Sequence, residues 1–187
     1  MNFSGLSIDK TWSLFLDRDG VINRKLPGDY VRSWAQFSFA DGVLEALLVF
    51  ADVFGPIIMV TNQQGIGKGL MSSTDLEDLH GKMLSEISHS GGRIDAIYHS
   101  PHLEKENHLS RKPNVGMGLM AKKANPEIRF KKSIMVGDSP GDMLFGKRLG
   151  MKTVFIGSLP AHFNASHLVD WRYDDLITFA HDIKTQP

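Results

Sequence analysis

Short apolar runs alternate with helix-like segments along most of this chain, and that alternation most constrains its fold. Residues 12–17, 56–61, 96–99, 133–137 and 153–156 read as buried strands. Between and after them, residues 41–51 (with Asp41 as a possible cap), 73–90 (capped by Ser72 or Ser73), 114–125, 140–149 and 174–183 read as helices. The pattern predicts a three-layer α/β/α, Rossmann-like domain with a central parallel sheet covered on both faces. The 187 residues suffice for one domain over 1–187, and without a visible linker no large cap domain is expected. The longest irregular stretches, 18–40 and 100–113, are where function is expected to concentrate.

The chemistry sits at the strand tips. The first strand breaks at Asp17-Arg18-Asp19-Gly20, so it delivers two carboxylates to the carboxyl edge of the sheet, with Gly20 as the turn beyond. Arg18 is left open between a surface residue and a site contact. The second strand ends in Thr61-Asn62-Gln63-Gln64-Gly65-Ile66-Gly67-Lys68-Gly69. A hydroxyl, amides and glycine backbone can bind phosphate oxygens as an anion nest, or form only a flexible loop. The fourth strand ends in Gly137-Asp138, with Asp142 one helical turn further on. Helix capping accounts for one of these acids better than for both. Arg111-Lys112-Pro113 precedes a helix, and its proline favours an extended Lys112.

Asp17, Asp138 and Asp142 cannot crowd together unneutralised. Two like charges 4 Å apart repel by about 4 kcal/mol at an effective dielectric near 20. A divalent cation together with Lys112 resolves the conflict, and an all-oxygen donor set points to Mg²⁺.

These motifs, in this order, resemble the haloacid dehalogenase (HAD) superfamily of aspartate-nucleophile phosphotransferases. Asp17-Arg-Asp19-Gly-Val21 is similar to its first motif, Thr61 to its second, Lys112 to its third and Gly137-Asp138…Asp142 to its fourth. Within the superfamily the motifs resemble a largely capless group, the heptose-1,7-bisphosphate and histidinol-phosphate phosphatases. The resemblance implies that Asp17 attacks phosphorus and that Asp19 serves as acid and then base. It implies Mg²⁺ on Asp17, the Asp19 carbonyl and Asp138, with Asp142 supporting the metal or Lys112. Thr61, Asn62, Gln63 and Lys112 would hold the transferring phosphoryl group or the substrate. Arg111 and Lys68 would meet a distal group, such as a second phosphate. A non-catalytic protein on the same fold is the competing reading, against which the intact Asp17/Asp19 pair speaks.

That group commonly carries a structural zinc held by three cysteines and a histidine. Here the matching positions are Ser100, His102, His108 and Ser110, and the chain has no cysteine. Serine hydroxyls are poor zinc ligands, so no structural zinc is expected.

Zero formal net charge gives no support for nucleic-acid or membrane-surface binding. No apolar run approaches the roughly 20 residues of a membrane span, and no secretory signal is visible. A cytoplasmic monomer acting on a small phosphorylated substrate is expected.

Overall fold

The computed structural model describes residues 6–159 and 166–184. The remaining residues lie outside the described part, including both ends of the domain expected over 1–187. Among the described residues six strands form one wholly parallel sheet: β1 Ser13–Leu16, β2 Ile57–Asn62, β3 Ala96–Ser100, β4 Ser133–Gly137, β5 Lys152–Ile156 and β6 Trp171–Tyr173. Their order across the sheet is β3-β2-β1-β4-β5-β6. The chain winds outward from β1 to β3, then crosses back to β4 on the other side of β1. Neighbouring loops therefore diverge between β1 and β4, and ligands of open α/β sheets bind in the crevice outside that point.

Alternate residues of each strand serve opposite faces. Leu14, Leu16, Ile57, Met59, Ile134 and Val136 join one apolar core, packed under α1 (Val43–Val53), α3 (Ser73–His89) and α6 (Leu176–Lys184). Phe15, Ile58, Val60 and Met135 join the other, under α4 (Gly116–Ala124) and α5 (Pro140–Leu149). Each such side chain, fully buried, contributes roughly 1.5–3 kcal/mol. The expected three-layer sheet and helices are thus present.

Local structure departs from the expectations at three points and settles one alternative. β6 was missed, because Trp171–Tyr173 is three residues long and only partly buried, too short to show a period. Asp41 does not cap α1: the N-cap is Gly42 at φ 70°, while the Asp41 carboxylate pairs with Arg24 at 2.5 Å. Ser72 does cap α3, in a reciprocal box with Asp75. The loop read as either an anion nest or a flexible segment contains a helical turn, α2 (Gln64–Gly67), and its N–H groups from Ile66 to Leu70 are spent on carbonyls. Ile66 donates to Gln63 O, Gly67 to Pro101 O, Lys68 to Gln64 O, Gly69 to Ile66 O and Leu70 to Gly65 O.

The 24–40 excursion is folded down by its aromatics. Trp34 stacks on Phe37 with ring centroids 5.1 Å apart, and Phe39 meets Phe37 edge-on at 5.0 Å. All three pack against the first core. This seats Leu26–Val31 over the carboxyl edge of the sheet. Among the described residues, no domain-sized insertion separates β1, β2 and β3.

Candidate active site

A cleft of about 230 Å³ opens at the β1/β4 divergence. Asp17, Asp19, Thr61, Asn62, Lys112 and Asp142 line it from the strand tips, and Lys25, Leu26, Asp29, Tyr30 and Val31 from the excursion above. Asp17 follows β1 directly, and its N–H still donates to Val136 O at 2.9 Å, so the sheet itself fixes its backbone. Its Oδ1 accepts from the Arg18 N–H at 2.7 Å.

Lys112 is a buried cation at the centre of the site. Its ammonium reaches Asp17 Oδ1 at 2.8 Å, Asp142 Oδ1 at 2.6 Å and the Val60 carbonyl at 2.7 Å. Asn62 braces the same residue: its amide donates to Lys112 O and accepts from Lys112 N, both at 3.0 Å. Asn62, expected to touch substrate, thus spends its amide on the lysine's backbone. Asp142 is 1% exposed, and its Oδ2 accepts from the Ser139 N–H and Oγ–H in a reciprocal capping box on α5. The helix-capping reading and the Lys112-anchoring reading of Asp142 are therefore both realised.

Asp17, Asp138 and Asp142 each bring a carboxylate oxygen into one group, all within 4.8 Å of one another. Two glycines permit this approach. A Cβ on Gly20, at φ 93°, would lie 1.8 Å from Asp138 Oδ2, and one on Gly137 would lie 2.2 Å from Asp142 Cβ. Burial first, then the neighbouring Asp142, pushes the Asp17 carboxyl up to about 7 against the pull of Lys112. Burial likewise raises Asp138, opposed by Lys25, whose ammonium sits 2.5 Å from Asp138 Oδ2. Asp138 Oδ1 is buried with no hydrogen-bond partner among the described residues. Hard oxygen donors, excess negative charge and an orphaned carboxylate oxygen fit a divalent cation.

Asp19 sits in a different environment. Arg18 Nη2 reaches both of its oxygens at 2.8 and 2.9 Å, with Asn23 Nδ2 at 3.0 Å and Gln63 Nε2 at 2.9 Å. Burial works to raise its pKa, but Arg18 and these amides outweigh it and hold the carboxyl below the usual range. Gln63 also donates to Thr61 Oγ1 at 2.9 Å, so both residues are tied to Asp19 inside the site.

Lys68 and Arg111 do not line the cleft. Lys68 stands at its rim, donating to the Tyr30 hydroxyl at 2.8 Å, and Arg111 donates to the His102 carbonyl at 3.2 Å. Ser100, His102, His108 and Ser110, the four positions that the resemblance matched to zinc ligands, do converge. The His102 and His108 rings stack 3.5 Å apart, and the Ser110 hydroxyl lies between His108 Nδ1, at 2.8 Å, and Ser100 Oγ, at 3.0 Å.

Sequence reading missed Lys25, Ser139 and His80. Lys25 lies in a polar loop with no periodic signal, and its role appears only when Asp138 is brought beneath it. Ser139 could have been found from the Ser-x-x-Asp spacing to Asp142, a capping-box signature. Arg18, left open, proves fully buried, with Nη1 3.3 Å from His80 Nε2. A guanidinium only donates, so His80 Nε2 accepts and the imidazole is neutral. Burial first, then Arg18, holds the His80 pKa down to about 3. Between pH 6.5 and 3 the unfolded chain therefore binds the proton that the folded one refuses, so stability falls as pH falls through this window. The slope approaches about 1.4 kcal/mol per pH unit. His80→Gln should flatten it, as checked by denaturant unfolding from pH 7 to 4; equal slopes would show that His80 is not held neutral.

A family model described as polynucleotide kinase 3 phosphatase matches residues 15–186. The D-glycero-alpha-D-manno-heptose-1,7-bisphosphate 7-phosphatase of Mycobacterium bovis is 42% identical over 132 residues, 71% of this chain and 70% of its own. The D-glycero-beta-D-manno-heptose-1,7-bisphosphate 7-phosphatase of Helicobacter pylori is 35% identical over 144 residues, 75% of this chain and 79% of its own. Among solved structures, the D,D-heptose 1,7-bisphosphate phosphatase from B. bronchiseptica, complexed with magnesium and phosphate, is similar with a TM-score of 0.80 at 25% identity. That match covers 94% of this chain and 99% of the other. With its strand order, its acids at the β1 and β4 tips and its buried lysine, the chain belongs to the HAD phosphatases, in the family of that polynucleotide kinase 3 phosphatase model and of the heptose-bisphosphate phosphatases.

Proposed function

We propose that this chain is a Mg²⁺-dependent phosphatase that hydrolyses a small sugar bisphosphate through a phosphorylated Asp17, with a heptose 1,7-bisphosphate as the favoured substrate. The observation that carries the reading is the convergence of Asp17, Asp19, Lys112 and Asp142 in one cleft, with a carboxylate oxygen of Asp138 within 4.8 Å of those of Asp17 and Asp142. The names of its relatives favour the sugar bisphosphate over histidinol phosphate.

Asp17 attacks phosphorus: an Asp17 oxygen–phosphorus bond forms, the phosphorus–ester oxygen bond breaks, and Asp19, protonated from solvent once the negative charge of the bound phosphate offsets Arg18, gives that proton to the departing alkoxide. Water then attacks the phosphorus, Asp19 takes back a proton, and the Asp17 oxygen–phosphorus bond breaks to release phosphate. Lys112 holds Asp17 in place and offers its positive charge to the transferring oxygens, joined by the Thr61 hydroxyl. Asp17, the Asp19 carbonyl and Asp138 would hold Mg²⁺, which supplies charge for the phosphoryl oxygens and relieves the repulsion among the acids.

At the rim, Tyr30 carries both Lys68 and Gln64 on its hydroxyl, each at 2.8 Å, and gives the second phosphate a cationic landing. The test is turnover of both anomers of heptose 1,7-bisphosphate and of histidinol phosphate, with Mg²⁺ and with a chelator. Efficient Mg²⁺-dependent release of one phosphate from a bisphosphate supports the reading; a protein inert toward these and toward an aryl phosphate is a binding protein on this fold. A charge-assisted contact is worth roughly 1.5–3 kcal/mol, so Lys68→Ala should cost about 10- to 150-fold in kcat/KM on the bisphosphate and little on a monophosphate. Equal losses on both would place Lys68 elsewhere in the mechanism.

A further inference from the structure

We propose that Arg18 is the positioning residue for Asp19, and that His80 orients Arg18 in turn. The proposal rests on the acid–base role of Asp19 given above. Adjacent residues of a strand point to opposite faces and cannot meet side chain to side chain. Arg18 meets Asp19 because the chain leaves the strand at this point. The Arg18 carbonyl receives the N–H groups of Val21, Ile22 and Asn23 at 3.3, 2.8 and 3.0 Å. This tight turn brings the guanidinium back under its neighbour.

An ionised carboxylate offers about four lone-pair sites. Here Arg18 fills one on each oxygen, Asn23 a third and Gln63 the fourth. The orientation of the carboxylate is thus over-determined at the cleft wall, and one of the two amide donors must give way when a proton or an ester oxygen meets it. Arg18 is 0% exposed, and it is among the largest fully buried side chains of the chain. Burying a guanidinium costs several kcal/mol unless its partners are well placed. An apolar residue would fill the space at lower cost, so a structural role alone does not account for the choice. Its remaining contact, His80 Nε2 from α3, fixes the rotation of the fork from the far side.

A residue that aims a general acid matters in proportion to how much the leaving group needs a proton. Glycerol phosphate leaves as a basic alkoxide and 4-nitrophenyl phosphate as a stable phenolate, and kcat/KM reports the steps through that departure. Arg18→Lys keeps the charge but loses the planar fork. It should lower kcat/KM on glycerol phosphate by about 10- to 100-fold, part of the 10²–10⁴ that a positioned acid contributes. The loss on 4-nitrophenyl phosphate should stay within about 3-fold. His80→Leu should show the same selectivity to a smaller degree, and it carries the test if Arg18→Lys does not fold. Asp19→Asn, measured alongside, should show the selectivity in its fullest form. If Asp19→Asn discriminates between the two substrates and the Arg18 and His80 variants lose equally on both, Arg18 is structural and the proposal fails. If Asp19→Asn itself does not discriminate, the acid–base role of Asp19 falls first and takes the proposal with it.

Discussion

Asp17→Asn is expected to abolish turnover, by about 10⁴-fold or more, while leaving the fold intact. The amide matches the carboxylate in shape. Its oxygen can still accept from Lys112 and from the Arg18 N–H, but it is not a nucleophile toward phosphorus. The same change should stabilise the metal-free protein at neutral and higher pH. The Asp17 carboxyl is raised to about 7, chiefly by burial. Its usual value is about 3.9, so the folded chain holds a proton there that the unfolded chain releases. Its contribution to stability is complete below about pH 4 and is lost as pH rises through about 7. The melting temperature of Asp17→Asn minus that of the parent, in chelator, should therefore grow between pH 5 and pH 8. Added Mg²⁺ should reverse the order, because the carboxylate binds the metal better than the amide. Substantial turnover by a folded Asp17→Asn protein would remove the covalent mechanism.

The sheet was legible because its central strands β1, β2 and β4 are buried on both faces. Pro56 to Thr61 and Ser133 to Gly137 read as continuous apolar runs, and such runs separated by helical periods leave few alternatives to a parallel sheet. The strand-tip acids were legible for a related reason: a carboxylate ending an apolar run is costly unless something nearby compensates. What escaped was set by distance in sequence. Lys25 and Asp138 are more than a hundred positions apart, and Arg18 and His80 more than sixty, so neither pair leaves a local pattern. Local reading also left the backbone donors unsettled. The glycines after Thr61 suggested free N–H groups, but the fold spends those from Ile66 to Leu70 on carbonyls of the same loop and of Pro101. Lys68 and Arg111 were assigned to a distal group through the resemblance, and no local pattern says that one would stand at the rim on Tyr30 and the other on the His102 carbonyl.

Lys112→Met is expected to have the largest effect on stability, together with loss of activity. The methionine fits the lysine's path but leaves the 12%-exposed side chain of Asp17 and the 1%-exposed side chain of Asp142 without their shared cation. Breaking a buried ion pair by removing one partner costs about 3–5 kcal/mol, because the other charge stays buried. The Val60 carbonyl also loses its ammonium donor. This loss reflects crowding of acids, so a second change should relieve it. Adding Asp142→Asn removes one of the two stranded charges, and the new amide oxygen can keep the Ser139 bonds that cap α5. Denaturant unfolding of the double variant should recover roughly half of the lost stability, while its turnover stays at background. Mg²⁺ should stabilise the single variant more than it stabilises the parent, since a bound cation replaces part of the missing charge. If Lys112→Met costs less than about 1 kcal/mol, or Asp142→Asn adds to the damage, the lysine is not the counter-ion that lets these carboxylates share one cleft.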